Sequence, residues 1–320
     1  MTIFSILGGI GNLPMIILFL SLFQGFYQEE IMAKDLKFKL LSGDQMPLVG
    51  FGTYQIQGAD LIKDVLDKAL AAGYRLIDTA KVYHNEKDIG VALKELLPKY
   101  KLKREDIFIT SKLSPADQGE KAYEALKESV TNLDCGYLDL YLIHWPGVFG
   151  TNSSSSSNLA KRDLSWQMLV KGVKDGLTRN IGVSNYNVRH MNQILKNDHG
   201  IKPAVNQVEW HPHYHQPELK QLLEKEGILL QAYSSLGGSN NPDLLKDKVV
   251  NEIAKKLGKS PAQVLLQWSL QQNIAIIPKA RSQKHIEDNI NLNFRIPDED
   301  MEKLNNFSQN KYSWDPDTIA

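Results

Sequence analysis

Residues Leu138-Asp-Leu-Tyr-Leu-Ile-His144, Leu164-Ser-Trp-Gln-Met-Leu-Val-Lys-Gly-Val-Lys-Asp175 and Asn180-Ile-Gly-Val-Ser184 follow one another as a short apolar run, a longer amphipathic segment and a second short run. Short apolar stretches suit strands buried on both faces, and the segment between them suits a helix that carries the chain back to start a parallel strand. Working outward, the same unit recurs. Strands are predicted at Val49–Thr53, Tyr74–Asp78, Ile107–Ser111, Leu138–His144, Asn180–Ser184, Ala204–Glu209, Leu229–Tyr233 and Ile274–Pro278. Helices are predicted between them at Leu61–Ala72, Asp88–Leu97, Gly119–Leu133, Leu164–Asp175, Gln216–Glu226 and Pro261–Leu270. In the first helix, Leu61, Ile62, Val65, Leu66 and Ala69 form one apolar stripe. Strict alternation of strand and helix calls for a parallel sheet of the α/β class. Eight such units without a composition break favour a single closed (β/α)8 TIM barrel over an open sheet. Ahead of the barrel, Phe38–Leu48 reads as a β-hairpin turning at Ser42-Gly43-Asp44.

The charge balance narrows the function classes. Lys plus Arg and Asp plus Glu are each 37, so the formal net charge is zero. No basic excess points to nucleic acid, and no acidic block to a solvating tail. The one cysteine, Cys135, has no partner for an intramolecular disulfide, which fits a reducing, cytoplasmic setting. Residues 1–31 stand apart: no charge precedes Glu29, and Met15–Phe23 is almost wholly apolar. A targeting segment has this character, but a basic start and a small-residue cleavage site are missing, and Gly8, Gly9, Gly11 and Pro14 interrupt any spanning helix. An upstream extension before a usual start at Met32 is the other reading. The chain therefore divides into residues 1–31, of open status, and residues 32–320, the barrel. Thr151–Asn158, rich in serine, reads as a mobile loop.

In a barrel of this kind, reactive groups come from the C-terminal ends of the strands. Those ends carry Asp78, Lys112, His144, Ser184 with Asn185, Gln207 with Glu209, Tyr233 and Lys279. Each has a bland explanation alone: Asp78 as a helix cap, Lys112 as a solvated strand end, His144 as a loop histidine, Tyr233 as packing. Their concentration at one end of a barrel makes the bland account a poor one.

Gly73-Tyr-Arg-Leu-Ile-Asp-Thr-Ala-Lys-Val-Tyr-His-Asn-Glu86, Ile107-Phe-Ile-Thr-Ser-Lys-Leu113 and Leu138-Asp-Leu-Tyr-Leu-Ile-His-Trp-Pro146 resemble segments of the aldo-keto reductases, in order. Ile181-Gly-Val-Ser-Asn-Tyr186, Asn206-Gln-Val-Glu-Trp-His-Pro212, Ala232-Tyr-Ser-Ser-Leu236 and Ile277-Pro-Lys-Ala280 continue the likeness from Leu36 to the C-terminus. The resemblance implies reduction of a small-molecule carbonyl by NADPH in a monomer, without a metal, with Asp78, Tyr83, Lys112 and His144 as the catalytic set. It implies cofactor contacts at Thr53, Asp78, Ser184, Asn185, Gln207, Tyr233, Ser234, Leu236, Lys279, Asp288 and Asn289, and a substrate pocket lined by Tyr54, His144 and Trp145. Hydride delivery leaves negative charge on the substrate oxygen, which Tyr83 would quench as general acid. A cation such as Lys112 beside it would lower its pKa. The chain departs from the family at Ala280, where a hydroxyl residue is usual, and at His285, where an Arg is expected to grip the cofactor's 2′-phosphate.

Other readings compete. Tyr83-x-x-x-Lys87 matches the pair used by short-chain dehydrogenases, but so does Tyr123-x-x-x-Lys127, and Gly50-Phe-Gly-Thr-Tyr-Gln lacks the third glycine of a dinucleotide loop. His211-Pro-His-Tyr-His215 invites a metal, yet its place after a strand reads as polar loop surface. Some relatives on this fold serve as cofactor-binding regulatory or structural proteins, so an intact catalytic set favours an enzyme without proving turnover.

Overall fold

The computed structural model describes residues 32–238 and 243–320, and the readings of residues 1–31 lie outside them. β1 (Lys37–Lys39) and β2 (Gln45–Pro47) pair antiparallel as the expected hairpin. Gly43 turns it with φ 96°, a left-handed conformation that glycine adopts without a Cβ penalty. Asp44 of that turn accepts from Asn180 Nδ2 at 2.8 Å, so the hairpin lies across the N-terminal end of the barrel.

Eight parallel strands follow in sequence order: β3 (Phe51–Gly52), β4 (Leu76–Asp78), β5 (Phe108–Leu113), β6 (Leu138–Ile143), β7 (Thr178–Ser184), β8 (Val205–Glu209), β9 (Leu229–Tyr233) and β10 (Ala275–Ile276). The first and last join: Gly50 N–H donates to Ile276 O at 2.8 Å, Ile276 N–H to Leu48 O at 2.8 Å, and Gly52 N–H to Pro278 O at 3.1 Å. The sheet is therefore a (β/α)8 barrel, and closure leaves no edge unpaired. A Cβ on Gly52 would lie 2.6 Å from Ile277 O, so the seam closes at this spacing only over a residue with no side chain. β3 and β10 are shorter than predicted, because their outer residues meet through single bridging bonds at the seam.

The α-helices of the described residues are α1 (Ala59–Ala72), α2 (Glu86–Lys99), α3 (Ala122–Leu133), α4 (Ser157–Lys174), α5 (Val188–Lys196), α6 (Pro217–Glu226), α7 (Asp243–Lys246), α8 (Lys248–Leu257), α9 (Pro261–Leu270), α10 (Gln283–Ile290) and α11 (Asp298–Asn305), with short single-turn 3-10 helices besides. In α1 the stripe Ile62, Val65, Leu66 and Ala69 is buried, and Gly73 ends the helix with φ 103°. A Ser260–Gln263 capping box starts α9, satisfying two backbone donors that a helix start leaves free. α4 begins well before the predicted Leu164, and part of the serine-rich run belongs to it. The rest of that run is tied down rather than open. Buried Asn158 accepts from Val148 N–H at 3.1 Å and donates to the carbonyls of Asn152, Ser153 and Ser155 at 2.9, 3.1 and 3.2 Å. No helix among the described residues is long and apolar enough to cross a membrane.

Candidate active site

Parallel pairing brings the strand ends together. Gly52 lies opposite Asp78, Ser184 opposite Gln207 and Glu209 opposite Tyr233. Lys112, near the end of β5, is fully buried. Its ammonium donates to Asp78 Oδ1 at 2.6 Å, to the Thr79 carbonyl at 2.9 Å and to the Tyr83 hydroxyl at 3.4 Å. A buried ammonium is costly unless paired; burial lowers the Lys112 pKa, and Asp78 opposes that shift.

Tyr83 comes from a single helical turn, Lys81–Tyr83, that follows β4. Its ring faces Tyr54 at 5.1 Å and meets the His144 ring edge-on at 5.8 Å. The side chain keeps some exposed surface, whereas the surroundings of its hydroxyl are densely packed. Burial and the nearby Asp78 carboxylate push its pKa well above the ordinary phenol value. This is opposite to the shift expected from Lys112, whose charge is engaged by Asp78 at the closer distance. Tyr83 is thus held in its protonated form. For His144, burial and then Lys112 lower the pKa to about 3, so its ring is neutral near pH 7; its Nδ1 is buried without a partner in the protein.

The strand ends beside this group form one network. Thr53 Oγ1 donates to Asp78 O at 2.9 Å. Ser184 Oγ donates to Gln207 O at 2.8 Å. Asn185, with φ 65°, donates through Nδ2 to His144 O and Ser184 Oγ, both at 3.0 Å, and accepts from Tyr233 OH at 2.7 Å. Gln207 Nε2 donates to Asp78 Oδ2 at 2.8 Å. Ser234 and Leu236 lie on the loop after β9, where Gly237 N–H returns to Ser234 O at 2.8 Å. Trp145 meets the exposed Trp314 edge-on at 6.0 Å. Lys279 is half-buried after β10, while Asp288 and Asn289 lie on α10, Asn289 buried and Asp288 paired with Lys284 at 2.5 Å.

Two contributors, Asn85 and Gln231, were missing from the sequence reading, and Glu209, which stood there as a strand-end candidate, has a different task. Buried Asn85 donates to the carbonyls of Thr53 at 3.1 Å and Ile56 at 2.9 Å and accepts from Thr79 Oγ1 at 2.6 Å, which fastens the Tyr83 turn to two strand ends. Gln231 sits fully buried beneath Gln207. Glu209 grips the C-terminal tail, accepting from Lys311 at 2.8 Å and from the Tyr312 and Ser313 amides at 2.6 and 2.9 Å. Of the histidine run, His211 is not surface: it is fully buried, bonds Glu209 at 3.0 Å and stacks on Tyr312 at 4.6 Å, while His213 and His215 are partly exposed. No group of three or more metal-ligating side chains that could hold an ion occurs among the described residues.

The aldo/keto reductase family model matches residues 48–309. The chain belongs to this family. A glyoxal reductase of Bacillus subtilis (strain 168) is 40% identical to it over 268 residues, covering 83% of this chain and 90% of that one. An NADP-dependent D-sorbitol-6-phosphate dehydrogenase of Malus domestica is 37% identical over 286 residues, covering 83% and 91%. The solved aldose reductase of Schistosoma japonicum superposes with a TM-score of 0.79 at 36% identity, covering 87% and 94%. This aldo/keto reductase is accordingly an oxidoreductase, of a family that reduces carbonyl groups with nicotinamide cofactors. Its cation arrangement fits such a group. Lys279 makes no ion pair among the described residues, and burial and Arg281 lower its pKa. Two neighbouring cations destabilise each other in the protein alone and favour an anionic phosphate.

Proposed function

We propose that this aldo/keto reductase reduces aldehydes and ketones to alcohols with NADPH, and that Tyr83 is the general acid. The observation that carries the reading is the buried Lys112 ammonium, 2.6 Å from Asp78 and 3.4 Å from the Tyr83 hydroxyl, with His144 across the Tyr83 ring. Bound cofactor supplies the hydride. As charge builds on the substrate oxygen, the Tyr83 hydroxyl gives its proton, and Lys112 stabilises the phenolate that forms. Asp78 keeps Lys112 charged and in place. His144, neutral, steers the substrate oxygen by hydrogen bonding instead of competing for its proton.

Ser184, Asn185 and Gln207 would hold the nicotinamide carboxamide, with the Tyr233 ring against its face and Thr53 and Asp78 beside it. Ser234 and Leu236 would border the pyrophosphate, Lys279 the 2′-phosphate, and Asp288 and Asn289 the adenine. Tyr54 and Trp145 would line the substrate entry. The Malus domestica relative, named for NADP, supports this cofactor. A monomer completes the reading, and the single cysteine supports a cytoplasmic setting.

Purified protein should oxidise NADPH only when a carbonyl such as 4-nitrobenzaldehyde is added, and a chain beginning at Met32 should do so equally well. Binding of NADPH without any carbonyl-dependent oxidation, across a panel of aldehydes and ketones, would make the chain a cofactor-binding protein instead. An insoluble or inactive shorter chain would assign residues 1–31 to the fold.

A further inference from the structure

Gln231 lies inside the barrel on β9, opposite Gln207 on β8 in the strand register. Both side chains are buried, Gln231 completely. A Gln amide has two N–H donors and one carbonyl acceptor. In Gln207 both donors are used: Nε2 reaches Asp78 Oδ2 at 2.8 Å and Gln231 Oε1 at 2.8 Å. The reverse orientation would set two acceptor oxygens, Gln207 Oε1 and Asp78 Oδ2, against each other at that spacing. Gln207 Oε1 is left without a donor among the described residues. Gln231 itself keeps an Nε2 that is buried with no partner in the protein. An unpaired buried amide is destabilising, and an apolar side chain of the same shape would avoid it. The bond from Gln207 satisfies one buried N–H, but the unpaired Gln231 Nε2 offsets that gain, so stability favours a Gln here only weakly.

We infer that Gln231 is a positioning residue for the cofactor site: it takes the second N–H of Gln207 and so turns the Gln207 carbonyl toward a ligand that donates. This rests on the proposed reading of Gln207 as a contact of the nicotinamide carboxamide. Gln207 is then an acceptor for the carboxamide N–H2 and offers nothing to its carbonyl. A ligand with no N–H2 at that position loses the interaction.

The test is equilibrium binding, read by tryptophan fluorescence, with thermal melting alongside. Gln231→Met removes the acceptor at nearly constant length, and Gln231→Leu is a second apolar replacement should Met not fold. NADPH binding is expected to weaken roughly three- to ten-fold, the worth of one ordinary hydrogen bond, with Tm little changed. Wild type should also prefer NADP+ to its 3-acetylpyridine analogue, in which methyl replaces the N–H2, and Gln231→Met should narrow that preference. In a Gln207→Ala background, Gln231→Met should add less than about two-fold, because the two act as a unit. Weakening by Gln207→Ala but not by Gln231→Met would overturn the role of Gln231 and leave Gln207 in place. An equal effect of Gln231→Met in both backgrounds, or a lowered Tm with an unchanged analogue preference, would make Gln231 merely structural. No effect from Gln207→Ala would remove the carboxamide reading itself.

Discussion

On the proposed reading, the surroundings of Lys279 set the choice of cofactor. Arg281, its cationic neighbour, is already held by the Gln55 carbonyl at 2.7 Å, and Lys284 is taken by Asp288 at 2.5 Å. His285 stands near the start of α10, its amide bonded to the Ser282 cap at 3.3 Å, and an imidazole ring lacks the forked pair of donors with which Arg grips phosphate. On the proposed reading, Lys279 therefore carries most of the charge recognition. NADPH should be preferred to NADH, and Lys279→Met should lower kcat/KM for NADPH by roughly ten- to a hundred-fold, as for loss of a charge-assisted hydrogen bond, while changing NADH much less. An unchanged cofactor ratio, measured by steady-state kinetics, would remove Lys279 from phosphate recognition. Residues such as Asp78, Lys112 and His144 were legible from sequence because parallel strands place their ends together. Asn85 and Gln231 were not: one serves backbone carbonyls and the other a neighbouring strand's amide, so neither follows from a chain pattern.

Strands and helices differ in how far the sequence discloses them. Parallel strands buried on both faces write themselves as apolar runs, and six of the eight fall close to their predicted bounds. β3 and β10 shrink at the seam, whose closure depends on residues more than 200 positions apart. The tail after α11 was equally hidden, since its anchor Glu209 is over 100 residues away. Burial opposes the Glu209 charge, yet the bonds from His211 and Lys311 outweigh it and lower the pKa to about 2. Beyond this anchor the chain runs back to the barrel: the Ile319 carbonyl bonds His190 Nε2 at 3.0 Å, and Ala320 N–H reaches Ser153 O at 2.8 Å. Glu209→Gln removes a buried charge from beneath Lys311 and should cost about 3–5 kcal/mol of tail anchoring. Trypsin should then cut after Lys311 at least roughly ten-fold faster, with KM rising more than kcat falls. Wild-type protection of Lys311 in the variant would show that the tail is held elsewhere.

For the molecule as a whole, three depressed pKa values act in the same direction. His144 falls to about 3 and His190 to about 4, each from an ordinary 6.5, and Glu209 to about 2 from 4.5. Below about pH 6.5 the unfolded chain binds protons at these histidines that the folded chain refuses, so their stabilisation is lost progressively as pH falls toward 4 and 3. Glu209 adds a second loss between 4.5 and 2. Tm should decline from about pH 6.5 downward, and His190→Asn should flatten the decline above pH 4; a flat Tm from pH 7 to 4 would contradict the burial of these groups. The proposed catalysis draws on the same burial, since the barrel mouth keeps Tyr83 protonated and His144 neutral. The most direct test is a single turnover of enzyme-bound NADPH with an accepted aldehyde, followed by stopped-flow, in wild type and Tyr83→Phe. The Tyr83→Phe enzyme should bind NADPH normally and transfer hydride roughly 10²–10⁴-fold more slowly, whereas a rate within a few-fold of wild type would contradict Tyr83 as the proton donor.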